Sequence, residues 1–92
     1  MTHELKIERQ WADARLSGDL SFEVRRNDRG FQRGDAVRYT VVDPKTGAPV
    51  GHMIEQCEFR ISYVLAGIPG VAEGYCVFSA MPDHIMKEGE RQ

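Results

Sequence analysis

A chain of 92 residues is the size of one domain, and with 41% apolar and 28% charged residues it can bury one thin core. Its formal net charge of -2 excludes a protein that coats nucleic acid by bulk attraction. No apolar run reaches membrane-spanning length and the first six residues lack the apolar stretch of a signal peptide, so a cytoplasmic protein with no membrane contact is expected.

Residues 3–7 read as a first strand. Residues 8–16 lack glycine and proline and read as a helix, with Trp11, Ala12 and Ala14 toward the core and Glu8, Arg9, Asp13 and Arg15 in water. Ser17-Gly18-Asp19 stops that helix, because glycine is the common residue just past the last turn. Residues 20–25 alternate apolar and polar, which predicts a half-buried strand with Leu20, Phe22 and Val24 inward and Glu23 and Arg25 on the opposite face. Asn27 to Gly30 has turn composition, Phe31 anchors the return, and Gly34-Asp35 is a second turn.

Residues 36–42 form the next predicted strand, followed by a tight connection at Asp43-Pro44-Lys45-Thr46-Gly47. A long strand is expected from residue 52 to about 65. Its inward set is Met53, Cys57, Phe59, Ile61, Tyr63 and Leu65, with Glu55 as the exception. Residues 66–74 are a glycine-rich loop. Residues 75–80 are an almost unbroken apolar run, which predicts an interior strand covered on both faces and ended by Pro82. The domain is thus expected over residues 1–81, with 82–92 as a charged C-terminal tail. A strand, a helix and then four strands make an α+β fold. One helix cannot cover both faces of five strands, so the sheet should curl into a small mixed β pseudo-barrel with the helix at its side.

Cys57 and Cys76 each sit in an apolar run and read as buried free thiols. His3, His52 and His84 are isolated from one another and there is no Cys-x-x-Cys, so neither zinc nor another cofactor is expected. The densest chemical signal lies between Arg25 and Arg38: five arginines (Arg25, Arg26, Arg29, Arg33, Arg38) against two acids (Asp28, Asp35). A local arginine excess in an acidic protein suits a phosphate-binding face. Within Glu23-Val24-Arg25-Arg26-Asn27-Asp28-Arg29, Glu23 and Arg25 share a strand face. A carboxylate there can accept from a base amine, and a guanidinium can grip phosphate or a base edge. The bland alternative is an exposed ion pair and an ordinary turn. Lys6 either points into a cleft beside the helix or ends the strand in water. Tyr75 either stacks on a base or caps the barrel. No nucleophile elbow, P-loop or paired-glycine fingerprint is present.

The runs His3-Glu4-Leu5-Lys6, Ser17-Gly18, Phe22 to Asp28 with Arg29, Phe31, Gly34-Asp35, Ser62-Tyr63-Val64 and Gly74-Tyr75-Cys76-Val77 together resemble one family. It is a small bacterial and phage domain of unknown function, grouped with the ASCH-like domains of the PUA-like superfamily. The likeness spans residues 2 to about 80. It implies a pseudo-barrel of mixed strands with a cleft beside the first helix that holds RNA or a nucleotide. Lys6, Glu23, Arg25, Asn27, Asp28 and Arg29 are the implied site, with Tyr75 stacking. One ASCH-like relative is an amidohydrolase acting on an acetylated cytidine. Its lysine two positions after the helix glycine is Leu20 here, and its threonine three further on is Glu23. Leucine cannot move a proton, so a non-enzymatic RNA- or nucleotide-binding domain is the leading expectation. A small hydrolase using Glu23 or Lys6 on a modified nucleoside, and an accessory protein that binds a protein partner, are the alternatives.

Overall fold

The computed structural model describes residues 1–85 of the chain; most of the expected tail, residues 86–92, lies outside the described residues. In chain order the elements are β1 (Thr2–Ile7), α1 (Arg9–Ser17), β2 (Phe22–Arg26), β3 (Ala36–Val41), a 3-10 turn (Met53–Gln56), β4 (Cys57–Leu65) and β5 (Tyr75–Ile85). All five strands form one sheet in the order β1-β3-β4-β5-β2. Only β1 and β3 pair parallel, Leu5 beside Tyr39; the other pairs are antiparallel. A parallel pair needs a crossover, and α1 with β2 provides it.

β1 and β2 lie at opposite ends of the strand order, yet they meet. Arg25 Nη2 donates to the Lys6 carbonyl at 2.8 Å and Arg29 Nη1 to the Glu4 carbonyl at 3.0 Å. The sheet is therefore curled into a half-barrel whose two free edges are joined by arginine side chains. Leu5, Ile7, Val37, Tyr39, Val41, Ile54, Phe59, Ile61, Cys76 and Phe78 fill its interior.

Local chemistry explains the boundaries. Gly18 takes φ 88° and its N–H caps the Arg15 carbonyl, a backbone geometry that costs a side-chain-bearing residue strain. Asp43 organises the turn after β3: its carboxylate accepts from the Lys45 N–H at 2.7 Å, and the Gly47 N–H donates to its carbonyl. Both cysteines are free thiols, Cys76 buried and Cys57 half-buried, and burial pushes both thiols up.

The structure corrects several of the expectations. β2 faces the other way: Phe22 and Val24 are 53% and 62% exposed, while Glu23 and Arg25 turn inward. Alternation says which residues share a face, not which face meets the core. α1 rests on the sheet through Ala12 and Arg15, three residues apart, so Trp11, one step round the helix, is exposed and Arg15 is buried. β4 begins at Cys57 because Glu55, the exception in the alternation, turns its carboxylate onto the Val41 N–H at 2.9 Å within the 3-10 turn. A register shift between Ile61 and Tyr63 then reverses the faces, so that Val64 packs on the core and Tyr63 and Leu65 face water. β5 is interior to the sheet but covered on one face only, with Cys76, Phe78 and Ala80 buried and Tyr75 and Met81 exposed. It also runs through Pro82 to Ile85. β2 stops pairing at Ser79, so the far side of β5 is an edge there, where a missing N–H costs no ladder bond.

One buried pair predicts an acid response. His3, 3% exposed, stacks near Phe31 at 4.7 Å, and its Nε2 lies 2.8 Å from Asp35 Oδ2. That hydrogen bond holds the Asp35 carboxyl below its ordinary range against the opposing effect of burial. A depressed carboxylate contributes its stability above the unfolded value of about 3.9 and loses it as pH falls through the folded value. Asp35→Asn should lower the melting temperature at neutral pH, and the difference from the unaltered protein should shrink as pH falls below the ordinary carboxylate range and through the depressed folded value of Asp35. Thermal melts across the acid range check this.

Candidate ligand cleft

Where the curled edges approach one another beside α1, the surface opens into a cleft of about 590 Å³. The end of β1 contributes Lys6, the start of α1 contributes Glu8 and Trp11, and the edge of β2 contributes Glu23 and Arg25. Leu20, Val42 and Pro44 are among the apolar parts of the wall. That volume falls in the range of small-molecule sites, and a mostly apolar wall with a few placed polar groups is their usual make-up.

Glu23 is the fixed polar point. Only 9% of its side chain is exposed. Its Oε2 accepts from Arg15 Nε at 3.0 Å and from the Tyr39 hydroxyl; its Oε1 accepts from Arg25 Nε at 2.8 Å. A carboxylate oxygen has room for two donors, so Oε1 keeps one acceptor position. Burial and the Glu23 charge push the Tyr39 phenol above its ordinary range, so it stays a donor. Arg15 is fully enclosed. Its Nη1 donates to the Ala80 carbonyl at 3.1 Å, its guanidinium lies 5.5 Å from the Tyr39 ring centre and 5.6 Å from that of Phe59, and its Nη2 finds no acceptor among the described residues. The floor of the cleft is thus a carboxylate clamped by two arginines and a tyrosine.

Of the seven residues singled out from the sequence, the cleft gathers Lys6, Glu23 and Arg25. Asn27 and Asp28 are exposed in the turn after β2, where the Asn27 N–H donates to the Gly74 carbonyl at 2.8 Å. Arg29 is committed to the β1 backbone. Tyr75 lies on the outer face of the sheet, opposite Arg26, whose guanidinium sits 5.8 Å from its ring centre. Sequence reasoning assigned Trp11 to the core and Arg15 to solvent. The available signal was the composition of α1: Arg-Gln-Trp-Ala-Asp-Ala-Arg-Leu-Ser has too few large apolar residues for both Trp11 and a hydrocarbon core face.

A second, shallow depression carries Asp13, Ser17 and His52, residue types that also build hydrolytic triads. They do not build one here. His52 Nε2 is 2.6 Å from Asp13, its Nδ1 accepts from the Ile54 N–H at 3.0 Å, and Ser17 Oγ donates to the Ala14 carbonyl at 3.0 Å. Both ring nitrogens are occupied, leaving neither as a base for Ser17.

A small α+β half-barrel with one helix at its open side, and a cleft floored by a clamped carboxylate, defines the class. The chain belongs to a family described only as a domain of unknown function (DUF3850), whose profile matches residues 2–80. No curated protein matches the chain. Among the described residues no helix is long and apolar enough to cross a membrane.

Proposed function

We propose that the cleft beside α1 holds one nucleotide unit, free or within single-stranded RNA. The observation that carries this reading is the meeting of an exposed tryptophan, two cationic side chains and a fixed acceptor in one cavity of nucleotide size. Trp11 offers an aromatic face on which a base stacks. Lys6 takes phosphate, and the remaining acceptor position on Glu23 Oε1 takes an exocyclic amine. Arg25 adds positive charge at the mouth while holding Glu23 in place. The resemblance to ASCH-like domains of the PUA-like superfamily, whose cleft beside the first helix is proposed to bind RNA or nucleotides, supports the same reading. The proposal keeps Lys6, Glu23 and Arg25 from the expected site and adds Trp11. Asn27, Asp28, Arg29 and Tyr75 have no part in it.

A titration against short single-stranded RNA, hairpin RNA, matched DNA and nucleoside monophosphates, at two salt concentrations, tests it. Salt-sensitive binding that Lys6→Ala weakens is expected, with the salt slope falling by about one unit for the lost phosphate contact. Absence of binding to every one of these ligands overturns it.

A further inference from the structure

The cleft and the outer face of the sheet share a rim. Phe22 and Val24 line the cleft, and both also face outward from β2. From them an apolar surface runs on across the sheet in register. Phe22, Ser79 and Tyr63 form one cross-strand row, Val24, Val77 and Leu65 the next, and Arg26 with Tyr75 the last. Tyr63 is 56% exposed and Tyr75 38%. No carboxylate stands in any of these rows, and Arg26, beside the Tyr75 ring, has no carboxylate partner among the described residues. The other half of the outer face differs. There the charges pair off, Arg38 Nε donating to Glu58 at 3.1 Å and Arg60 Nη2 to Asp83 at 2.9 Å.

We infer that the cleft takes its nucleotide from within a single strand of RNA, and that the strand leaves over Phe22 and Val24 onto the apolar half of the outer face, where Tyr63 and Tyr75 stack about two further bases. This rests on the nucleotide reading of the cleft, and three observations extend it. The first is charge inside the cleft. Three carboxylates (Glu8, Glu23, Asp43) and two cations (Lys6, Arg25) line it. Arg25 is committed to Glu23 and to the Lys6 carbonyl, so the Lys6 ammonium is the cation left to a ligand. One cation matches the single charge of an internal phosphodiester, whereas the several charges of a free di- or triphosphate meet carboxylates. The second is the shared rim. A protein seated on the apolar half would close over the mouth that the nucleotide needs, but a strand emerging from the cleft covers both surfaces with one molecule. The third is the make-up of the face. Exposed rings beside an unpaired arginine, with no acid among them, are what a stacking platform for a polyanion requires. The Phe22 and Tyr75 rows are separated by four residues along β2 and β5, about 13 Å, which gives each ring room for its own base.

Calorimetric titration with oligoadenylates and oligocytidylates of one to about eight nucleotides, and with the two nucleoside triphosphates, is the test. Affinity should rise at least tenfold from the monophosphate to about four nucleotides and then level off, and the triphosphates should bind more weakly than the monophosphates. Tyr63→Ala and Tyr75→Ala should each weaken the longer oligomers roughly tenfold and leave monophosphate affinity and the melting temperature unchanged, because both rings are outside the cleft and the core. Arg26→Ala should lower the salt slope of the oligomers alone by about one. Monophosphates that bind as tightly as oligomers overturn the inference and leave the cleft reading standing, as does oligomer binding that all three substitutions leave untouched. Oligomer binding that needs Tyr63 and Tyr75 but ignores Lys6→Ala and Trp11→Ala separates the face from the cleft and overturns the single path. Self-association in sedimentation that Tyr63→Ala abolishes gives the face to a protein surface and overturns it too. No binding of any of these ligands removes the cleft reading and this inference together.

Discussion

Replacing Glu23 with alanine is expected to destabilise the fold by about 3–5 kcal/mol, the usual consequence of breaking a buried ion pair by removing one partner. The reason is Arg15. Its side chain has no exposure, its Nη2 already lacks an acceptor among the described residues, and Glu23 is its only carboxylate among them. Without Glu23 a full positive charge stays enclosed between Tyr39 and Phe59. Against a stability of about 5–15 kcal/mol for a domain of ordinary size, that is a large share. The converse substitution separates this from simple loss of packing. Changing Arg15 to Met and Glu23 to Leu together removes both charges, and apolar replacement of a whole buried pair is often neutral or stabilising. Urea unfolding should therefore show the double variant more stable than Glu23→Ala. Equal losses in the two would mean that the pair acts through shape, not charge. Tyr39→Phe should cost less, about 1 kcal/mol, since it deletes one donor and leaves Glu23 with both arginines.

Trp11→Ala is expected to weaken ligand binding by about 1–3 kcal/mol, roughly five- to 150-fold, with little change in stability. The separation of the two effects follows from position. Trp11 is 49% exposed and absent from the buried core, so folding depends on it little, yet it lines the cleft. It is also the chain's one tryptophan, so its fluorescence reports the cleft alone. Base stacking should quench it in the same titration that measures affinity. Quenching that saturates with binding, and an affinity loss in Trp11→Ala at unchanged melting temperature, are the expected pair of results. Binding that survives Trp11→Ala at full strength would remove the stacking wall from the proposal.

The order of elements was legible because each has a strong local signature: the glycine after α1, the Asp43-to-Gly47 turn, the alternation in β2 and β4. Family resemblance and the arginine excess pointed to the stretch of chain whose Glu23 and Arg25 line the cleft. What escaped was which side of each element meets the core. β2 reads as an ordinary amphipathic strand, but a buried arginine on α1 needs a carboxylate opposite it, and that requirement turns Glu23 inward and Phe22 outward. That arginine is itself invisible locally, since a lone Arg15 among polar residues looks solvated until tertiary structure places Ala12 on the sheet. In β4, one extra residue near Ser62 exchanges the two faces for Tyr63 and Leu65, and periodicity carries no warning of it. The dispersal of Asn27, Asp28, Arg29 and Tyr75 has the same origin: neighbours in sequence after β2 separate as soon as the chain turns and the sheet curls.

Arg25 and Arg29 reach across to the β1 carbonyls, and no backbone ladder joins β1 to β2 among the described residues. The half-barrel is therefore fastened like a clasp, not sewn. Parting its edges by a few ångströms breaks these two side-chain hydrogen bonds, each worth about 0.5–1.5 kcal/mol net, and pulls on the Glu23 bonds to Tyr39 and Arg15, but leaves every strand pairing intact. An occupant wider than the resting cleft could be admitted by springing that clasp, at a cost well below that of unfolding any part of the sheet.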